Sequence, residues 1–258
     1  MTAAAQTTAA AALTRLSLDR SPAVTYAVGD IHGQFDLYKA LEARILRDAL
    51  RYPAPRLLVL LGDVIDRGPQ SAQMIDHLLR PPPKGLTRLC LRGNHEALFL
   101  RVLQDQRGIK TWRDWGGRAT LSSYGIRSDQ AEGPRPAALR ALAATVPAAH
   151  QTFLSQLPLS LDLPAWFFSH AGATLQRSLA EQTPDDLLWG TSGSLSDATA
   201  FGKWVVHGHE IVPEASFSRG VLRLDTGAYR SGRLSGVRLC PDQPPRFFAQ
   251  TMTAHQSR

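Results

Sequence analysis

Six side chains that can bind metal ions each lie at or near the end of a short apolar segment. In chain order they are Asp30, His32, Asp63, Asn94, His170 and His209. Their carboxylate, imidazole and amide groups are ligands that suit Mn²⁺, Fe or Zn²⁺. Six protein ligands are too many for one open catalytic site, but they suffice for two ions if one carboxylate bridges them. Asp63 is central in the predicted sheet, so it is the predicted bridge.

A pair of metal ions in this setting favours chemistry at phosphorus. Two ions about 3.5–4 Å apart can hold a shared hydroxide and contact both oxygens of an in-line phosphoryl displacement. Two aspartates, two divalent ions and one hydroxide leave about +1 to attract a phosphate group, and Asn94 keeps that balance positive because it is neutral. The sequence therefore predicts a metal-dependent phosphoester hydrolase in which the bridging hydroxide attacks phosphorus in line.

Charged residues beside the predicted ligands can handle the proton and the phosphate. His95 follows Asn94 and is available to protonate the leaving oxygen, and Asp66 can accept a hydrogen bond from it and so raise its imidazolium fraction. Arg67 can bind phosphate oxygens with its forked guanidinium, and Arg92 is a weaker second candidate. The predicted catalytic pair is thus His95 with Asp66.

The elements that must position these residues follow a β-α-β-α-β order. The segments AVTYAV, RLLVLL and LTRLCL are continuous apolar runs typical of strands buried in a parallel sheet. Between the first two runs, Leu37, Leu41, Ile45 and Ala49 recur every four residues and predict a helix. Because the carboxyl ends of parallel strands meet at one edge, the residues after each run are expected to converge there.

The rest of the chain is expected to complete a single domain. Residues 1–20 read as a flexible N-terminal tail and residues 21–258 as one domain, with a lid or insert at about 101–157. Strand-like runs with turn signals dominate the second half. No uninterrupted apolar run reaches the roughly 20 residues of a transmembrane helix, and the N-terminus makes a poor signal peptide.

Five residues near these motifs admit two interpretations. Trp112 and Trp115 are expected to pack in the core or to stabilise the lid, with lining of a substrate groove as the alternative. Glu96 either opens a helix or supports the ligands from behind. Asp225 is expected to end a strand in a turn rather than face the site, and His207 to stand behind the ligands or on the opposite strand face.

Composition and charge restrict the partners and the compartment. The chain has 29 Lys and Arg against 22 Asp and Glu, a formal net charge of +7, which favours anionic partners or simply reflects solubility and arginine bias. The basic residues are scattered, so neither nucleic acid nor a membrane is expected as a partner. Cys90 and Cys240 are interpreted as core residues, which fits a reducing cytoplasm.

The order GDIHG, GDVIDRG and GNHE resembles the signature of the metal-dependent phosphoprotein phosphatases of the calcineurin-like metallophosphoesterase superfamily, in its bacterial and bacteriophage style. SHAG and VVHGH resemble the later histidine motifs of that family. The resemblance spans Gly29 to His209, most of the chain. It implies an α/β fold, a four-layer sandwich of two mixed β-sheets flanked by helices.

The resemblance also implies a role for each matching residue. Asp30, His32 and Asp63 would hold the first metal ion, and Asp63, Asn94, His170 and His209 the second. His95 with Asp66 would form the acid pair, and Arg67 would bind phosphate together with Asn94. Mn²⁺ is the expected metal, with Fe or Zn²⁺ as alternatives. The segment LLWGTSGSL departs from the family because no arginine follows Trp189, and Tyr229 is only a loose match to the tyrosine of eukaryotic members.

Three functions are compatible with these motifs. The first is a phosphatase acting on phosphoserine or phosphothreonine in proteins, which the intact VIDRG and GNHE favour. The second is a symmetrical dinucleoside tetraphosphatase of the same superfamily. The third is a non-catalytic anion-binding module, against which the complete ligand set argues. The expected substrate is accordingly a phosphorylated protein or a small phosphoester.

Overall fold

The computed structural model describes residues 14–105, 108–126, 142, 144–190, 195–241 and 243–252. Its strands are β1 Arg15–Ser17, β2 Val24–Val28, β3 Arg56–Leu60, β4 Leu86–Cys90, β5 Ser160–Asp162, β6 Trp166–Ser169, β7 Trp204–His207, β8 Ser216–Ser218, β9 Val221–Arg223, β10 Arg233–Cys240 and β11 Gln243–Thr251. Its described α-helices are α1 Phe35–Ala49, α2 Ser71–Leu79, α3 Asn94–Asp105, α4 Ile109–Trp112, α5 Arg118–Ser123, α6 Ala148–Gln156, α7 Pro184–Trp189 and α8 Ala228–Ser231.

The first sheet contains the three apolar runs singled out in the sequence. Its strand order is β11-β10-β2-β3-β4, with β2, β3 and β4 parallel and β10 and β11 antiparallel. The register pairs Val28 with Leu60 and Leu60 with Cys90, so the three parallel strands end side by side. The loops that follow these strands therefore begin at the same edge of the sheet, as the sequence predicts.

The second sheet is built from the C-terminal half and one N-terminal strand. Its order is β1-β5-β6-β7-β9-β8, and it mixes parallel and antiparallel pairs. Strand β1 pairs in parallel with β5, so the predicted tail boundary at residue 20 is wrong for Arg15–Ser17. This strand has only three residues, all exposed, and so lacks the apolar pattern that would reveal it. The remainder of the predicted tail, residues 1–13, lies outside the described residues.

Three apolar layers hold the sheets and helices together. One lies between the two sheets, where Val59 and Leu61 face Phe168 and Val206. A second lies between the first sheet and the helices, and a third packs α7 on the outer face of the second sheet. In α1 the four residues of the predicted stripe are all buried. Helix, sheet, sheet and helix thus form the four-layer α/β sandwich, which confirms the predicted fold class.

The predicted lid is helical over its described part and packs against the domain. A π-helical turn at Arg113–Gly117 joins α4 to α5. Trp112 is fully buried there, and its indole stacks on the ring of Phe99 at 4.8 Å. Residues 106–107, 127–141 and 143 of the predicted lid lie outside the described residues. Both cysteines are buried and free, as expected, and none of the described helices is long and apolar enough to cross a membrane.

Candidate metal and phosphate site

The six predicted metal ligands come together from the two sheets. Asp30, Asp63 and Asn94 follow β2, β3 and β4, whereas His170 follows β6 and His209 follows β7. All except the half-buried His209 are buried. His32, Asp63 and His209 have φ values of 48°, 47° and 63°, in the left-handed region that non-glycine residues rarely adopt. Such strained conformations cluster at functional sites, where surrounding structure maintains them.

Asp63 stands at the centre of the cluster. Its Oδ2 lies 3.6 Å from Nε2 of His32, and its Oδ1 lies 3.5 Å from Nε2 of His170. Two groups of side chains have donor atoms within 4.8 Å of one another, namely Asp63 with His32 and His95, and Asp63 with Asp30 and His170. Because Asp63 belongs to both groups and directs a different oxygen to each, it has the geometry of a bridging carboxylate.

The buried histidines are prepared to act as neutral ligands. Nδ1 of His32 donates to the carbonyl oxygen of Ile65 at 3.0 Å, and Nδ1 of His170 donates to that of Leu61 at 2.9 Å. Since a carbonyl can only accept, Nε2 of His32 carries the lone pair, and it points toward Asp63. Nε2 of His170 lies 2.8 Å from Oδ1 of Asn94, so two predicted donor atoms face each other there. Burial lowers the pKa of His32 to about 3 and that of His170 to about 4, so both rings are neutral near pH 7.

Two buried carboxylates of the cluster, those of Asp30 and Asp225, have raised pKa values. Burial, with the neighbouring carboxylates of Asp225 and Asp63, raises the pKa of Asp30 well above its usual range. Burial likewise raises the pKa of Asp225 to about 6. Asp225 therefore lies against the ligand Asp30, although the sequence favoured a simple turn position for it. Buried carboxylates and neutral imidazoles together form a donor set that fits divalent cations.

Two glycines make room for the ligands. A side chain at Gly93 would collide with Oδ1 and the backbone nitrogen of Asp63, and one at Gly208 would collide with Oδ1 of Asp30. The backbone N–H of His209 also approaches both oxygens of Asp30, at 3.2 Å each. Gly93 thus lets the loop after β4 approach the Asp63 carboxylate, and Gly208 lets the loop after β7 approach the Asp30 carboxylate.

Glu96 supports the cluster from behind. Its carboxylate accepts hydrogen bonds from the backbone N–H groups of Asp63 at 2.8 Å, Val64 at 2.9 Å and Gly93 at 2.8 Å. Glu96 is completely buried. Through these hydrogen bonds its side chain joins the start of α3 to the loop after β3. Of the two sequence interpretations, this geometry agrees with support of the ligands.

The His95 and Asp66 side chains form a hydrogen-bonded pair. Nδ1 of His95 donates to Oδ2 of Asp66 at 2.7 Å. Burial alone would lower the pKa of His95, but the Asp63 and Asp66 carboxylates outweigh it and raise the pKa above its usual value. Asp66 also accepts from Nε1 of Trp112 at 2.8 Å and from the Thr120 hydroxyl at 2.5 Å. Trp112 and Thr120 could not be predicted as partners of this carboxylate from the sequence, because their segment has no regular pattern.

The Arg67 guanidinium faces the cluster. Its Nη1 donates to Nε2 of His32 at 2.8 Å, and its Nη2 lies 3.1 Å from Nε2 of His95, which accepts this bond only while the imidazole is neutral. It also stacks on the ring of Tyr229, with 4.5 Å between Cζ and the ring centroid. Arg67 and Tyr229 therefore stand where a phosphate anion would approach the ligands.

Arg92 does not take the role expected from the sequence. Its Nη2 donates to the carbonyl oxygens of Leu154 at 3.3 Å and Ser155 at 2.7 Å, near the end of α6. The side chain is buried in that contact. Sequence proximity to Asn94 suggested a phosphate contact, but the direction of the side chain makes Arg92 a link between β4 and α6.

A cavity of about 690 Å³ opens over the cluster. It is lined by Arg67, Asn94, His95, Asp114, Trp115, Gly116, Trp189, His209 and Tyr229. Trp115 and Trp189 meet at this cavity with 5.9 Å between their ring centroids. Residues 191–194, where the sequence lacks the expected arginine, lie outside the described residues. The volume is within the roughly 300–1,000 Å³ of typical small-molecule sites.

The comparisons with known proteins agree with this architecture. The family model described as calcineurin-like phosphoesterase matches residues 24–230. A bis(5'-nucleosyl)-tetraphosphatase PrpE [asymmetrical] of Bacillus cereus is 28% identical over 240 residues, covering 82% of this chain and 88% of that protein. Serine/threonine-protein phosphatase 2 of Escherichia coli K12 is 36% identical over 92 residues, covering 36% of this chain and 38% of that protein.

Solved structures show the same fold. A crystal structure assigned provisionally as a diadenosine tetraphosphatase superposes with a TM-score of 0.62 at 23% identity, covering 93% of this chain and 99% of that chain. A protein serine/threonine phosphatase of Saccharomyces cerevisiae superposes with a TM-score of 0.59 at 14% identity, covering 94% and 84% of the two chains.

Proposed function

The chain belongs to the calcineurin-like phosphoesterase family, a family of metal-dependent hydrolases, and we propose that it cleaves dinucleoside polyphosphates at a site that binds two divalent cations. The observation that carries the proposal is the position of Asp63. Its two carboxylate oxygens face separate groups of donor atoms, as a shared ligand of two ions requires. The family match and the donor chemistry both support divalent metals, and Mn²⁺ is our proposed metal.

The residues that would hold the ions are the six predicted ligands, with Asp63 shared. When bound, the cations supply a water of lowered pKa and neutralise phosphate charge. Neutral His32 presents its Nε2 lone pair, and Nε2 of His170 lies beside Oδ1 of Asn94, while Glu96 and the glycines at 93 and 208 keep the carboxylates in place. The division of ligands between the two ions follows the family resemblance.

The remaining cavity residues would bind the phosphate and move one proton. Arg67 carries a forked guanidinium close to both His32 and His95, where it can bind two phosphate oxygens. His95 exposes Nε2 on the same side, while its Nδ1 donates to Asp66. In this arrangement His95 would give the Nε2 proton to the leaving oxygen, and Asp66 would stabilise the imidazolium before transfer.

The substrate class follows from the extent of the similarity. The signature motifs alone favour a protein phosphatase. The tetraphosphatase relative, however, aligns with 82% of this chain, whereas the similarity to the Escherichia coli protein phosphatase is confined to 36% of it. Five of the nine residues that line the cavity lie outside the metal motifs, so the longer similarity is the better guide. A dinucleoside polyphosphate is therefore the first candidate substrate.

A phosphoserine or phosphothreonine side chain in a protein is the second candidate. The relative named as a protein phosphatase is 36% identical over its 92 matched residues, against 28% over 240 residues for the PrpE relative. Hydrolysis of a phosphoserine or phosphothreonine would use the same metal ligands, the same acid and the same phosphate-binding arginine. Only substrate recognition therefore separates the two candidate functions.

Kinetics on both substrates test the proposal. The purified protein is stripped of metal, reloaded with Mn²⁺, and given a dinucleoside tetraphosphate and a phosphoserine peptide in parallel. We expect the higher kcat/KM on the dinucleotide. Chromatography of the products then distinguishes a mononucleotide plus a triphosphate from two diphosphates, which separates asymmetrical from symmetrical cleavage.

The Asp63→Asn variant provides the control for the shared ligand. It keeps the side-chain shape but weakens the bond to both ions, so we expect loss of turnover and of bound metal. A higher kcat/KM on the peptide would favour the second candidate. Normal turnover in the variant would contradict the bridging role, and no hydrolysis of either substrate by the wild-type protein would refute the proposal.

A further inference from the structure

Two tryptophans at the edge of the cavity have no role in the chemistry described above. Trp115 comes from the π-helical turn and Trp189 from the end of α7, and their ring planes meet at 59°. Trp115 is 43% exposed, unlike its neighbour Trp112, which is fully buried and donates to Asp66. Core packing therefore accounts for the position of Trp112 but does not account for the exposed face of Trp115.

Contacts with Arg67 hold Trp115 in a definite place. The backbone N–H of Arg67 donates to the carbonyl oxygen of Gly116 at 3.0 Å, and Nε of Arg67 donates to that of Trp115 at 3.4 Å. Gly116 has a φ of 114°, and a side chain there would approach Cγ of Arg67 to 2.6 Å. The turn that carries the indole is thus attached to the residue proposed to bind phosphate.

The side of the cavity that carries Trp115 differs chemically from the metal cluster. The indole of Trp115 lies 6.3 Å from the ring of His95, measured between centroids, so the aromatic surface adjoins the catalytic pair. Asp114 lines the same cavity. A carboxylate repels phosphate but accepts hydrogen bonds from hydroxyl and amino groups, so this side suits an uncharged, planar part of the substrate.

We propose that Trp115 and Trp189 form a base-binding subsite that holds one nucleobase of the substrate while its phosphates lie over the metal cluster. The two rings form a corner rather than a parallel slot, so the base would stack on the exposed face of Trp115 and abut Trp189. Stacking on one aromatic side chain corresponds to roughly a five- to hundredfold gain in affinity. This inference rests on the proposed nucleotide substrate and names the residues that select it.

Substrate selectivity gives the kinetic test. For each variant, kcat/KM is measured on a dinucleoside tetraphosphate and on inorganic tripolyphosphate, which has no base. We expect the ratio of the two values to fall roughly five- to hundredfold in Trp115→Ala, to fall less in Trp189→Ala, and to recover in Trp115→Phe because the phenyl ring still stacks. Trp204→Phe is the matched control, since Trp204 packs on Phe217 away from the cavity, and its ratio should equal that of the wild type.

A binding measurement separates this inference from the proposed function. Calorimetric titration of adenosine diphosphate into the metal-loaded protein does not depend on turnover, and Trp115→Ala should weaken binding by the same factor. Unchanged selectivity and unchanged binding in Trp115→Ala, in a protein that cleaves the dinucleotide, would overturn the subsite and leave the proposed function standing. Failure of the wild-type protein to bind the nucleotide would overturn the subsite as well. A higher kcat/KM on the phosphopeptide would overturn the proposed function and, with it, the subsite that rests on that function.

Discussion

At the scale of single residues, Asp66 determines what His95 can do. Its carboxylate is completely buried and accepts from three side chains, the imidazole, the Trp112 indole and the Thr120 hydroxyl. A buried carboxylate is tolerated only when hydrogen bonds satisfy it, and these bonds also set its orientation. His95 is consequently held with Nε2 toward the cavity and with a raised pKa.

Replacement of His95 by asparagine should separate proton transfer from metal binding. We expect kcat to fall roughly 10²- to 10⁴-fold, because the leaving oxygen loses its proton donor. Metal content, measured by mass spectrometry of the dialysed protein, should stay the same. The donor atoms of His95, His32 and Asp63 lie close together, so a loss of metal would show instead that His95 is a ligand.

The dependence of kcat on pH should reveal the effect of the Asp66 carboxylate on the pKa of His95. His95 is active as an acid only when protonated, so kcat should decline as the pH rises through the pKa of His95. In Asp66→Asn the carboxylate that raises this pKa is gone, so the decline should begin at a lower pH than in the wild type. Asparagine tolerates the positive φ of 69° at this position, so the loop conformation is maintained.

The Trp112→Phe variant is the control for the pH experiment. It removes one donor to Asp66 but keeps the carboxylate charge, so the alkaline decline should not move to lower pH. Identical profiles for Asp66→Asn and the wild type would show that another group controls the alkaline limb.

At the scale of elements, the site depends on one helix start that organises a neighbouring loop. Glu96 in the first turn of α3 binds backbone N–H groups of the loop after β3, where Asp63, Asp66 and Arg67 all have positive φ. That loop cannot maintain such conformations by its own propensity. The helix therefore provides hydrogen bonds that hold the start of the loop carrying Asp63, the carboxylate proposed as the bridge.

Replacement of Glu96 by glutamine should loosen this loop. The amide nitrogen cannot accept a hydrogen bond, so at least one buried backbone N–H would lose its partner. We expect the free energy of unfolding to fall by about 1–3 kcal/mol in urea denaturation. Metal affinity, measured by titration, should weaken about 10- to 100-fold.

A glutamate far from the site provides the control for that substitution. Glu214→Gln changes a side chain that is 77% exposed and should leave both the unfolding free energy and the metal affinity as in the wild type. Unchanged metal affinity in Glu96→Gln would mean that the loop maintains its conformation without this carboxylate.

The elements also show what the sequence could predict. Helix α1 and strands β2, β3 and β4 were predictable because long, regular apolar patterns identify them. Strand β1 was not, since three exposed residues carry no pattern. The direction of Arg92 and the partners of Asp66 were not predictable either, because they depend on contacts with α6, α4 and α5, which are distant in sequence.

At the scale of the whole molecule, β1 closes the edge of the second sheet. Leu18 donates its backbone N–H to the Asp162 carbonyl, and Leu159 donates to that of Thr14, both at distances of 2.8–2.9 Å. The Arg15 guanidinium also donates to the carbonyl of Ala180 at 2.6 Å. The N-terminal strand therefore belongs to the folded domain.

Truncation should reveal the contribution of this strand. A chain that begins at residue 21 is compared with one that begins at residue 14, so that only the segment with β1 differs. We expect the shorter chain to unfold at a lower temperature, with a loss on the order of 2 kcal/mol from the missing hydrogen bonds. Equal melting temperatures in calorimetry would show that β1 contributes no stability.

The proposed metal ligands come from two separate sheets, and this origin has a consequence for the stability of the protein in the cell. Ions bound between Asp30, Asp63, His170 and His209 would cross-link the halves of the sandwich, as a staple does. At a metal concentration a hundred times Kd, binding would add about 2.7 kcal/mol to stability. Loss of the metal ions would then make the protein more susceptible to proteases as well as inactive. The metal concentration in the cell would therefore affect the amount of the protein.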